Sequence, residues 1–574
     1  MREEILKILE KAGISGAEVF MPEHESQGHY STNVALRLAK QEKKNPLDLA
    51  RELAEKIKKS APAGFFEKVE AAPPGFINFW ISPITIQDEF ARVLKNLEDF
   101  GKSDIGKGKT VIVEYSQPNI AKKMHVGHLR TTIIGAALAD ILENLGYKVI
   151  RWNYLGDWGT QFGKLIAAYK LWGDEESVKA DPINALQKLY VRFHDELKSN
   201  AELDKKGQEE FKKLEEGDKE NRKLWEWFKN ESLKEFQKTY KQLGVKFDTE
   251  IGESFYEKDI KSLVARLRKD GIAKESEGAL IIPLDRFDKF TAGKYNLPPA
   301  LIQKSDGASL YLTRDIANLE YRIKKYKPAK VLYVVGNEQS LHFEQLFAIA
   351  DILGLRDKVE LIHAKYGLVL GEEGKKLATR EGRAVLLENV LDKALKLARE
   401  AVDAKNVDLP EDEKQEVAEA VGIGALKYGI LKENRNTDIT FNWKQMLSLA
   451  GDSAPYLQYS YARLRSILRK VESEKRKEES NLGKLGGDAE LRVMRKLFEF
   501  PDEVARSGEI LETNNLASYL YELAALVSRF YETTPVMKEE NAERRAALLA
   551  LIDAAASVLK SGMNLLGIRT PERI

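Results

Sequence analysis

Short apolar runs and apolar residues spaced three or four apart alternate along the middle of the chain. The run at 110–116 is rich in β-branched residues and predicts a buried parallel strand. From His125 onward the spacing predicts a helix with one buried face, and Gly146 stands where such a helix would end. The residues of this face are Leu129, Ile133, Ala137, Leu138, Ile141, Leu142 and Leu145. Because 147–154 again reads as a strand, the segment predicts a βαβ unit in a parallel sheet.

The same patterns divide the rest of the chain into distinct parts. Strand-like runs at 331–336 and 359–364 alternate with helical patterns and predict the second half of a doubly wound sheet. A heavily charged helical pattern at about 185–245 predicts a solvated insertion between the two halves. Residues 1–105 read as a small α+β unit, and helical patterns dominate from about 410 onward. The patterns therefore predict an α/β protein of several parts.

Composition narrows the partners and metal sites that the chain can have. Its 574 residues carry 91 Lys and Arg against 90 Asp and Glu, so nucleic acid must be bound by local patches rather than by net charge. Cysteine is absent, which excludes disulfides and thiolate zinc sites. The first helix carries Glu3, Glu4 and Glu10, and the apolar run near the end is broken by Asp553. We therefore expect a cytoplasmic protein without a membrane segment.

Two of the seven histidines, His125 and His128, stand three residues apart where the predicted helix begins. Ligands of open α/β sheets bind at the carboxyl ends of the strands, and a helix N-terminus at that edge favours phosphate. At this spacing both rings can face one anion, and Gly127 leaves room for a flat group against the backbone. The arrangement suits a nucleotide whose phosphates develop charge during a reaction.

Three alternatives for the histidine pair remain open at this point. The pair could bind zinc, although neither an H-E-x-x-H motif nor a cysteine supports this. The two histidines could be ordinary residues of a helix start. The HxGH tetrapeptide is also shared by small nucleotidyltransferases, so it does not define a substrate.

The segments around the histidines resemble those of the arginyl-tRNA synthetase family, a family of class I aminoacyl-tRNA synthetases. "EYSQPNIAKKMHVGHLRTT" and "NYLGDWGTQFGKL" are similar to its active-site signature. "KSDGASLYLTRDIANLEYR" resembles its arginine pocket, and "VVGNEQSLHFEQLF" resembles the block that follows. "GDSAPYLQYSYARLRS" and "LGIRTPERI" resemble its anticodon-binding domain, and "GHYSTNVALRLAK" and "PGFINF" its added N-terminal domain. The resemblance spans nearly the whole chain in the family's order.

The resemblance implies an α/β fold with a class I Rossmann-type catalytic domain, a helical insertion, an N-terminal α+β domain and a C-terminal α-helical anticodon-binding domain. The expected boundaries are 1–105 for the N-terminal domain, which would contact the tRNA D-loop, 106–448 for the catalytic domain and 449–574 for the anticodon-binding domain. The helical insertion is expected at about 165–300.

The implied activity is that of a ligase, which activates L-arginine with ATP and transfers it to tRNA(Arg). Mg²⁺ is expected to accompany ATP, bound through phosphate oxygens, and no zinc is expected. Activation is expected to require bound tRNA. The family's usual state implies a monomer, and neither DNA nor a membrane is an expected partner.

The resemblance also implies roles for the HxGH segment and for a second, lysine-rich loop. His125, His128 and Gly127 would bind ATP and stabilise the transition state, and His342 would lie near the nucleotide. The KMSKS signature of class I enzymes is degenerate here, with its places taken by Lys376, Leu377, Ala378, Thr379 and Arg380. Lys122 is expected to supply the missing charge, assisted by Lys376 and Arg380. The alternative is a basic surface loop without a catalytic part.

For the amino acid, the resemblance places Tyr311 and Asp315 at the guanidinium of arginine. These two residues are neighbours if a helix begins at this segment, and a planar guanidinium demands a carboxylate in bidentate geometry. The ammonium and carboxylate of the substrate are expected at Glu114, Asn119 and Gln339. From the residues alone, Asp315 reads as a helix N-cap and Glu114 as a strand-end acid.

Recognition of tRNA is expected to use aromatic stacking and basic residues that meet phosphates. Phe76 and Asn78 near the N-terminus and Tyr459 in the C-terminal helices are the predicted tRNA contacts. Two other functions remain as alternatives. One is another enzyme with the HxGH motif, and the other is a non-catalytic tRNA-binding paralogue, suggested only by Ala378 and Thr379.

Overall fold

The computed structural model describes residues 1–285, 287–288, 293–294, 296–305, 307, 309–371, 385–405, 409–472 and 481–574. Its N-terminal part contains Arg2–Lys11 (α1), Val34–Glu42 (α2), Pro46–Ser60 (α3), Pro83–Lys95 (α4), Tyr30–Thr32 (β1), Phe66–Ala72 (β2) and Phe76–Ile81 (β3). The strands form an antiparallel sheet in the order β1-β3-β2. The side chain of Asn45 accepts the backbone N–H groups of Leu47 and Asp48, and Pro46 occupies the first turn, so local sequence fixes the start of α3.

A sheet of five parallel strands forms the centre of the molecule. Its strands are Thr110–Glu114 (β4), Lys148–Leu155 (β5), Thr249–Gly252 (β6), Lys330–Tyr333 (β12) and Glu360–His363 (β13), in the order β13-β12-β4-β5-β6. Helix Val126–Asn144 (α5) connects β4 to β5, and Gly146 follows it with a φ of 81°, a conformation that glycine adopts without strain. The predicted βαβ unit and parallel sheet are therefore confirmed.

The region where the helical insertion is expected, at about 165–300, contains strands as well as helices. Five helices do follow β5, namely Thr160–Trp172 (α6), Glu175–Ala180 (α7), Pro182–Leu197 (α8), Glu202–Glu216 (α9) and Lys219–Leu243 (α10). Strand β6 then returns to the central sheet as its edge strand. Only one of its four residues is buried, so it lacks the apolar run that would reveal a buried strand in the sequence.

A second, smaller group of elements follows β6. It contains Glu257–Lys269 (α11), Lys274–Ser276 (β7), Ala279–Ile282 (β8), Phe287–Asp288 (β9), Gly293–Lys294 (β10) and Ala300–Gln303 (β11). Strands β7, β8 and β11 form an antiparallel sheet in the order β11-β8-β7, and β9 pairs with β10. The region predicted as one insertion is thus a helical part and a small antiparallel part, separated by a strand of the main sheet.

Helices make up most of the remaining chain. They are Tyr311–Tyr326 (α12), Ser340–Ile352 (α13), Leu387–Lys405 (α14), Glu411–Leu431 (α15), Trp443–Met446 (α16), Ala454–Glu472 (α17), Asp488–Phe498 (α18), Phe500–Ile510 (α19), Asn514–Thr533 (α20) and Ala542–Leu565 (α21), with the strand pair Val369–Leu370 (β14) and Ile439–Thr440 (β15). Helix α5 packs on β4 and β5 and also on α15, α19 and α21. The helix that begins with the histidine pair is therefore enclosed between the sheet and the C-terminal helices.

One described helix, α21, is long and apolar enough to cross a membrane, with a mean hydropathy of 1.5 over its most apolar window. About 61% of that window is buried inside the protein, as in the core helix of a soluble domain. Helix α21 packs against α17, α18 and α20, and a side chain at Gly562 would lie 2.5 Å from a methyl carbon of Leu520. Its apolar surface is thus used within the C-terminal helices.

Candidate active site

Segments that carry the predicted arginine-binding and ATP-binding residues meet at the carboxyl edge of the central sheet. Strand register places Tyr333 of β12, Glu114 of β4 and Trp152 of β5 side by side at this edge. The segments that leave the strands here lead into the histidine pair of α5, into α6, and into the start of α13. This edge is where open parallel sheets bind ligands.

The two histidines form a capping arrangement at the start of α5. His125 is the N-cap residue, and its Nδ1 accepts the backbone N–H of Gly127 at 3.1 Å. Nδ1 of His128 accepts the backbone N–H of His125 at 3.0 Å, and the ring centroids lie 4.0 Å apart. Because an N–H group occupies Nδ1 of each ring, a neutral ring carries its own proton on Nε2.

Electrostatics keep at least one of these rings uncharged. Burial, with a smaller contribution from the charge of His125, lowers the pKa of His128 to about 3. At neutral pH His128 is therefore a neutral N–H donor rather than a cation. Together with the partial positive charge of the helix N-terminus, such a donor suits phosphate oxygens.

The structure adds a reason for Gly127 that the sequence does not show. A Cβ atom at Gly127 would lie 2.8 Å from Cε1 of His125, closer than such atoms approach in proteins. The missing side chain therefore makes room first for the His125 ring. Whether Gly127 also contacts a nucleotide stays a prediction.

Segment 385–388 holds the HxGH helix start from outside. The backbone N–H of Val126 donates to the carbonyl of Val385 at 3.0 Å, and Nζ of Lys123 meets a carboxylate oxygen of Glu388 at 2.6 Å. Lys122 is exposed, with Nζ 5.6 Å from the centre of the Tyr190 ring on α8. Its side chain is therefore accessible at the mouth of the site.

The predicted catalytic residues Lys376 and Arg380 lie in 372–384, outside the described residues. Segment 385–388, which the structure places against the HxGH helix start, follows this loop directly in the chain. Val385, the first described residue after this loop, therefore lies beside the histidine pair. The catalytic roles of Lys376 and Arg380 stay predictions.

The predicted arginine pocket is built on the first turns of α12. The helix begins at Tyr311, so Tyr311 and Asp315 are neighbours on one face, as expected for residues four apart. Its N-cap residue is Leu310, which excludes the reading of Asp315 as an N-cap. Tyr311 is 59% exposed and Asp315 is half-buried, so both can meet a ligand at the sheet edge.

His342 contacts this pocket directly. Its Nε2 lies 2.6 Å from Oδ2 of Asp315. Burial alone would lower the pKa of His342, but the hydrogen bond and negative charge of Asp315 raise it. The observed partner of His342 thus belongs to the predicted arginine site, and its contact with the nucleotide stays a prediction.

Glu253 is a carboxylate of this site that the sequence analysis missed. It follows β6 directly at the carboxyl edge, and burial raises its pKa to about 8, against the opposing charge of Arg314. Nη1 of Arg314 is 3.7 Å from Oε2 of Glu253, too far for a hydrogen bond. Within the described part of the chain, Oε2 of Glu253 and the hydroxyl of Tyr154 are buried without a hydrogen-bond partner. Both atoms can therefore accept a hydrogen bond from a ligand.

Glu114 is buried at the end of β4, where it makes two contacts. Its Oε1 accepts Nε2 of Gln117 at 2.7 Å, and its Oε2 forms an ion pair with the buried Arg322 of α12. Burial raises the pKa of Glu114, and the guanidinium of Arg322 opposes this. The structure thus supplies a positioned carboxylate at the place where the substrate ammonium is expected.

Asn119 and Gln339 approach the same edge from neighbouring strands. Asn119 follows β4 and is exposed, and a Cβ atom at Gly156 would lie 2.2 Å from its Oδ1. Glycine at 156 is therefore required for this close approach. Gln339 is exposed and directly precedes α13. Both amides can reach a ligand at the edge, and their contacts with arginine stay predictions.

The predicted tRNA contacts differ in how accessible they are. Tyr459 on α17 is 43% exposed. Phe76 is half-buried, with its ring edge-on to Phe20 at 6.2 Å between centroids. Asn78 is only 6% exposed, and its Oδ1 accepts the hydroxyl of Ser31 at 2.8 Å. The carbonyl end of the Asn78 amide therefore serves the sheet of the N-terminal part rather than a surface for RNA.

The described residues contain no cluster of three or more His, Asp or Glu side chains arranged to hold a metal ion. Instead, Glu114 pairs with Arg322 and Asp315 pairs with His342. Oε2 of Glu253 has no hydrogen-bond partner in the residues that the structure describes. These negatively charged acceptors suit a cationic organic ligand.

Comparison with known proteins gives matches along nearly the whole chain. Three family models match: "Arginyl tRNA synthetase N terminal domain" over residues 1–81, "tRNA synthetases class I (R), catalytic domain" over 90–443, and "DALR anticodon binding domain" over 457–574. Among curated relatives, an arginine--tRNA ligase of Clostridium perfringens is 45% identical over 94% of this chain and 93% of its own length. One of Ligilactobacillus salivarius is 43% identical over 97% and 96%.

Solved structures agree as well, and they confirm the predicted fold class. The arginyl-tRNA synthetase of Thermus thermophilus has a TM-score of 0.82 and 25% identity, covering 100% of this chain and 99% of that one. The Plasmodium falciparum enzyme has a TM-score of 0.78 and 27% identity, covering 100% and 98%. The chain belongs to the arginyl-tRNA synthetase family of class I aminoacyl-tRNA synthetases.

Proposed function

We propose that this chain is an arginine–tRNA ligase whose amino-acid site lies between the histidine pair and the carboxylates of β6 and α12. The observation that carries this proposal is the pair of unpaired buried acceptors, Glu253 Oε2 and the Tyr154 hydroxyl, close enough to Asp315 for its charge to raise the pKa of both groups. A planar cation such as a guanidinium would satisfy these acceptors. A phosphate-binding helix start stands at the same sheet edge.

In the first step, an oxygen of the arginine carboxylate attacks the α-phosphorus of ATP. The bond from that phosphorus to the bridging oxygen breaks, and pyrophosphate leaves. Nε2–H of the neutral His128 and the N-terminus of α5 stabilise the charge on the phosphate oxygens, with His125 beside them. The exposed Lys122 supplies further positive charge, and Mg²⁺ accompanies the nucleotide through its phosphate oxygens.

In the second step, a hydroxyl of the terminal tRNA ribose attacks the carbonyl carbon of arginyl-adenylate. The ester forms, AMP leaves with the carboxylate oxygen that had attacked its phosphorus, and the hydroxyl proton is released. Both steps depend mainly on positioning and electrostatic stabilisation. Phe76, Asn78 through its NH₂ group, and Tyr459 remain the proposed contacts that hold the tRNA.

The same site explains selection of arginine over lysine. Asp315 and Glu253 together offer carboxylate oxygens to a fork of N–H donors, with Tyr311 beside them at the start of α12. The ammonium of lysine is a point charge and leaves part of this buried acceptor set unpaired. Glu114, Asn119 and Gln339 receive the ammonium and carboxylate that both amino acids share.

Coupling between tRNA binding and activation is supported by hydrogen bonds that run from the C-terminal helices toward the HxGH helix. Nε of Arg435 donates to the carbonyl of Leu511 at the end of α19, at 3.0 Å. Nη1 of the same guanidinium donates to the carbonyl of Lys365 at 2.7 Å, just after β13. A single side chain thus ties the C-terminal helices to the catalytic sheet.

The connection continues into α5 through Arg130. This side chain is fully buried and donates to three carbonyls, those of Leu368, Arg435 and Thr437, at 2.8 to 3.2 Å. Arg130 lies two residues after His128 on the same helix. A displacement of the C-terminal helices by bound tRNA therefore has a hydrogen-bonded route to the histidine pair.

Aminoacylation of total tRNA with each of twenty radiolabelled amino acids tests the proposal. Incorporation of arginine alone is expected, into tRNA(Arg), by a cytoplasmic monomer that uses ATP. Incorporation of another amino acid would refute the pocket assignment. The non-catalytic alternative predicts tRNA binding without incorporation, and the intact histidine pair and the named arginine--tRNA ligase relatives give it no support.

A further inference from the structure

Arg322 is a fully buried cation that the activity described so far does not use. It lies seven residues after Asp315 on α12, two turns along the same helix. Its guanidinium pairs with Oε2 of Glu114, and its central carbon lies 4.3 Å from the centre of the Trp152 ring. Helix α12 therefore carries Asp315, which is proposed to bind the guanidinium of arginine. It also carries Arg322, which pairs with the Glu114 carboxylate proposed to bind the ammonium.

The ion pair changes what Glu114 can bind. A carboxylate with both oxygens open accepts a guanidinium through two parallel hydrogen bonds. Here Oε2 is taken by Arg322, and Oε1 keeps capacity for one further donor beside Gln117. Such a carboxylate suits a single N–H donor of an ammonium group and not the two-donor fork of a guanidinium.

Arginine presents both kinds of cation, so a site with several carboxylates can bind it in two directions. We infer that Arg322 is a positioning residue that determines this direction: by occupying Glu114 it reserves that carboxylate for the ammonium and leaves the guanidinium to Asp315 and Glu253. Arg322 itself does not touch the substrate. The inference rests on the proposed function, because it concerns the orientation of arginine in that site.

Among the charged groups around Glu114, Arg322 is the one that favours its ionised form. The charged and titratable groups that face Glu114 are Arg322 and Asp315 of α12, His342 of α13, Tyr333 of β12, Tyr154 of β5 and Tyr256 before α11. Of these, Arg322 alone is a permanent cation. Its loss would leave a buried carboxylate beside Asp315 and would raise the pKa of Glu114 further.

The test replaces Arg322 by Met, which keeps an unbranched apolar stem without the guanidinium, and by Lys, which keeps charge without the fork. Initial rates of arginine-dependent pyrophosphate exchange with tRNA present give KM for arginine, KM for ATP and kcat. For Arg322→Met we expect KM for arginine to rise about 100-fold at pH 7. KM for ATP is expected to stay unchanged, and kcat/KM for arginine to increase between pH 7 and 9. Arg322→Lys should recover most of the loss, and the exposed Lys324→Met on the same helix serves as control.

Selectivity for the ammonium separates positioning from simple support of the fold. The probe is 5-guanidinopentanoic acid, which is arginine without its ammonium, used as an inhibitor. We expect the wild type to bind this inhibitor about 100-fold more weakly than arginine. For Arg322→Met the difference in affinity between the two compounds should be less than about 10-fold. The double variant Arg322→Met/Glu114→Gln removes the unpaired charge, so it should restore the wild-type melting temperature but not the discrimination.

Two results would overturn the inference. One is an Arg322→Met protein that keeps the wild-type KM for arginine and the wild-type preference for the ammonium. The other is a double variant that regains that preference with its stability, which would make Arg322 a purely structural residue. A wild-type protein that shows no exchange with arginine at all would instead refute the proposed function, so the two failures are distinguishable.

Discussion

His128 accepts the backbone N–H of His125 through Nδ1 at 3.0 Å, and this bond decides how the pair meets a phosphate. The proton of the neutral His128 ring must lie on Nε2, the nitrogen turned away from the helix start. With its pKa lowered to about 3, the ring stays neutral at physiological pH. The first class I motif therefore contributes at His128 a fixed hydrogen-bond donor, not a titrating charge.

Replacing His128 by Asn tests this directly. The shorter amide can still accept the His125 N–H but cannot donate from the position of Nε2. We expect kcat for arginine activation to fall by about 10²- to 10³-fold, as for loss of one transition-state donor. Between pH 5 and 8, the pH–rate profiles of the wild type and of this variant should have the same shape. A limb in this pH range that is present in the wild type and absent from His128→Asn would mean that the His128 ring acts as a cation.

The same shift predicts how stability depends on acid. In the unfolded chain a histidine has a pKa near 6.5, whereas the pKa of His128 in the fold is about 3. Between these values the unfolded state binds the additional proton, so acid favours unfolding by about 1.4 kcal/mol per pH unit for this group. Denaturant unfolding at pH 7, 6 and 5 should give a shallower loss of stability for His128→Asn. An identical slope would contradict the low pKa of His128.

Lys122 is predicted to replace the charge missing from the degenerate KMSKS loop. Its side chain is exposed and free to move from the Tyr190 ring, 5.6 Å away, toward a bound pyrophosphate group. Lys122→Ala should lower kcat about 100-fold with little change in KM for arginine. The exposed Lys188→Ala on α8 is the matched control and should keep wild-type activity. Near-normal turnover of Lys122→Ala would refute the compensation.

The pattern of apolar residues was enough to predict the βαβ unit, the parallel sheet and the helix that begins with the histidine pair. Tyr311 and Asp315 could also be placed together, because a spacing of four has a simple meaning once a helix is assumed. Such features depend on neighbours in the chain. They can therefore be predicted from short segments of the sequence.

The remaining parts of the site depend on contacts between distant segments. Glu253 was missed because β6 is a short edge strand with one buried residue, and so carries no apolar run. Arg322 reads as one more charged residue of a helix, and its partner Glu114 is 208 positions away. The burial of Asn78 against β1 could not be seen from its own strand either.

Glu253 is predicted to release a proton when arginine binds. With a pKa of about 8 it is mostly protonated at pH 7, and the incoming guanidinium favours its ionised form. The affinity for arginine should therefore increase up to about tenfold per pH unit between pH 6 and 8. Calorimetry in buffers of different ionisation enthalpy should measure close to one proton released at pH 7, and none for Glu253→Gln. Equal proton release by wild type and variant would exclude Glu253 from the site.

Arg435 is predicted to transmit tRNA binding to the active site. Arg435→Met removes the donors to Leu511 and Lys365, and should reduce the stimulation of pyrophosphate exchange by tRNA about 10-fold. The affinity for tRNA should change less than about threefold, because these bonds join parts of the protein to one another. Arg469→Met is the matched control, since among the described residues the hydrogen bonds of Arg469 go to Glu572 near the C-terminus. Full stimulation in Arg435→Met would remove this side chain from the coupling.

The most direct measurement of the central claim is ATP–pyrophosphate exchange with each of the twenty amino acids, with and without total tRNA. Exchange with arginine alone, and only when tRNA is present, is the predicted result. It would establish the amino acid, the reaction and the dependence on tRNA together. Strong exchange with arginine in the absence of tRNA would contradict the coupling, and exchange with a different amino acid would contradict the pocket formed by Asp315 and Glu253.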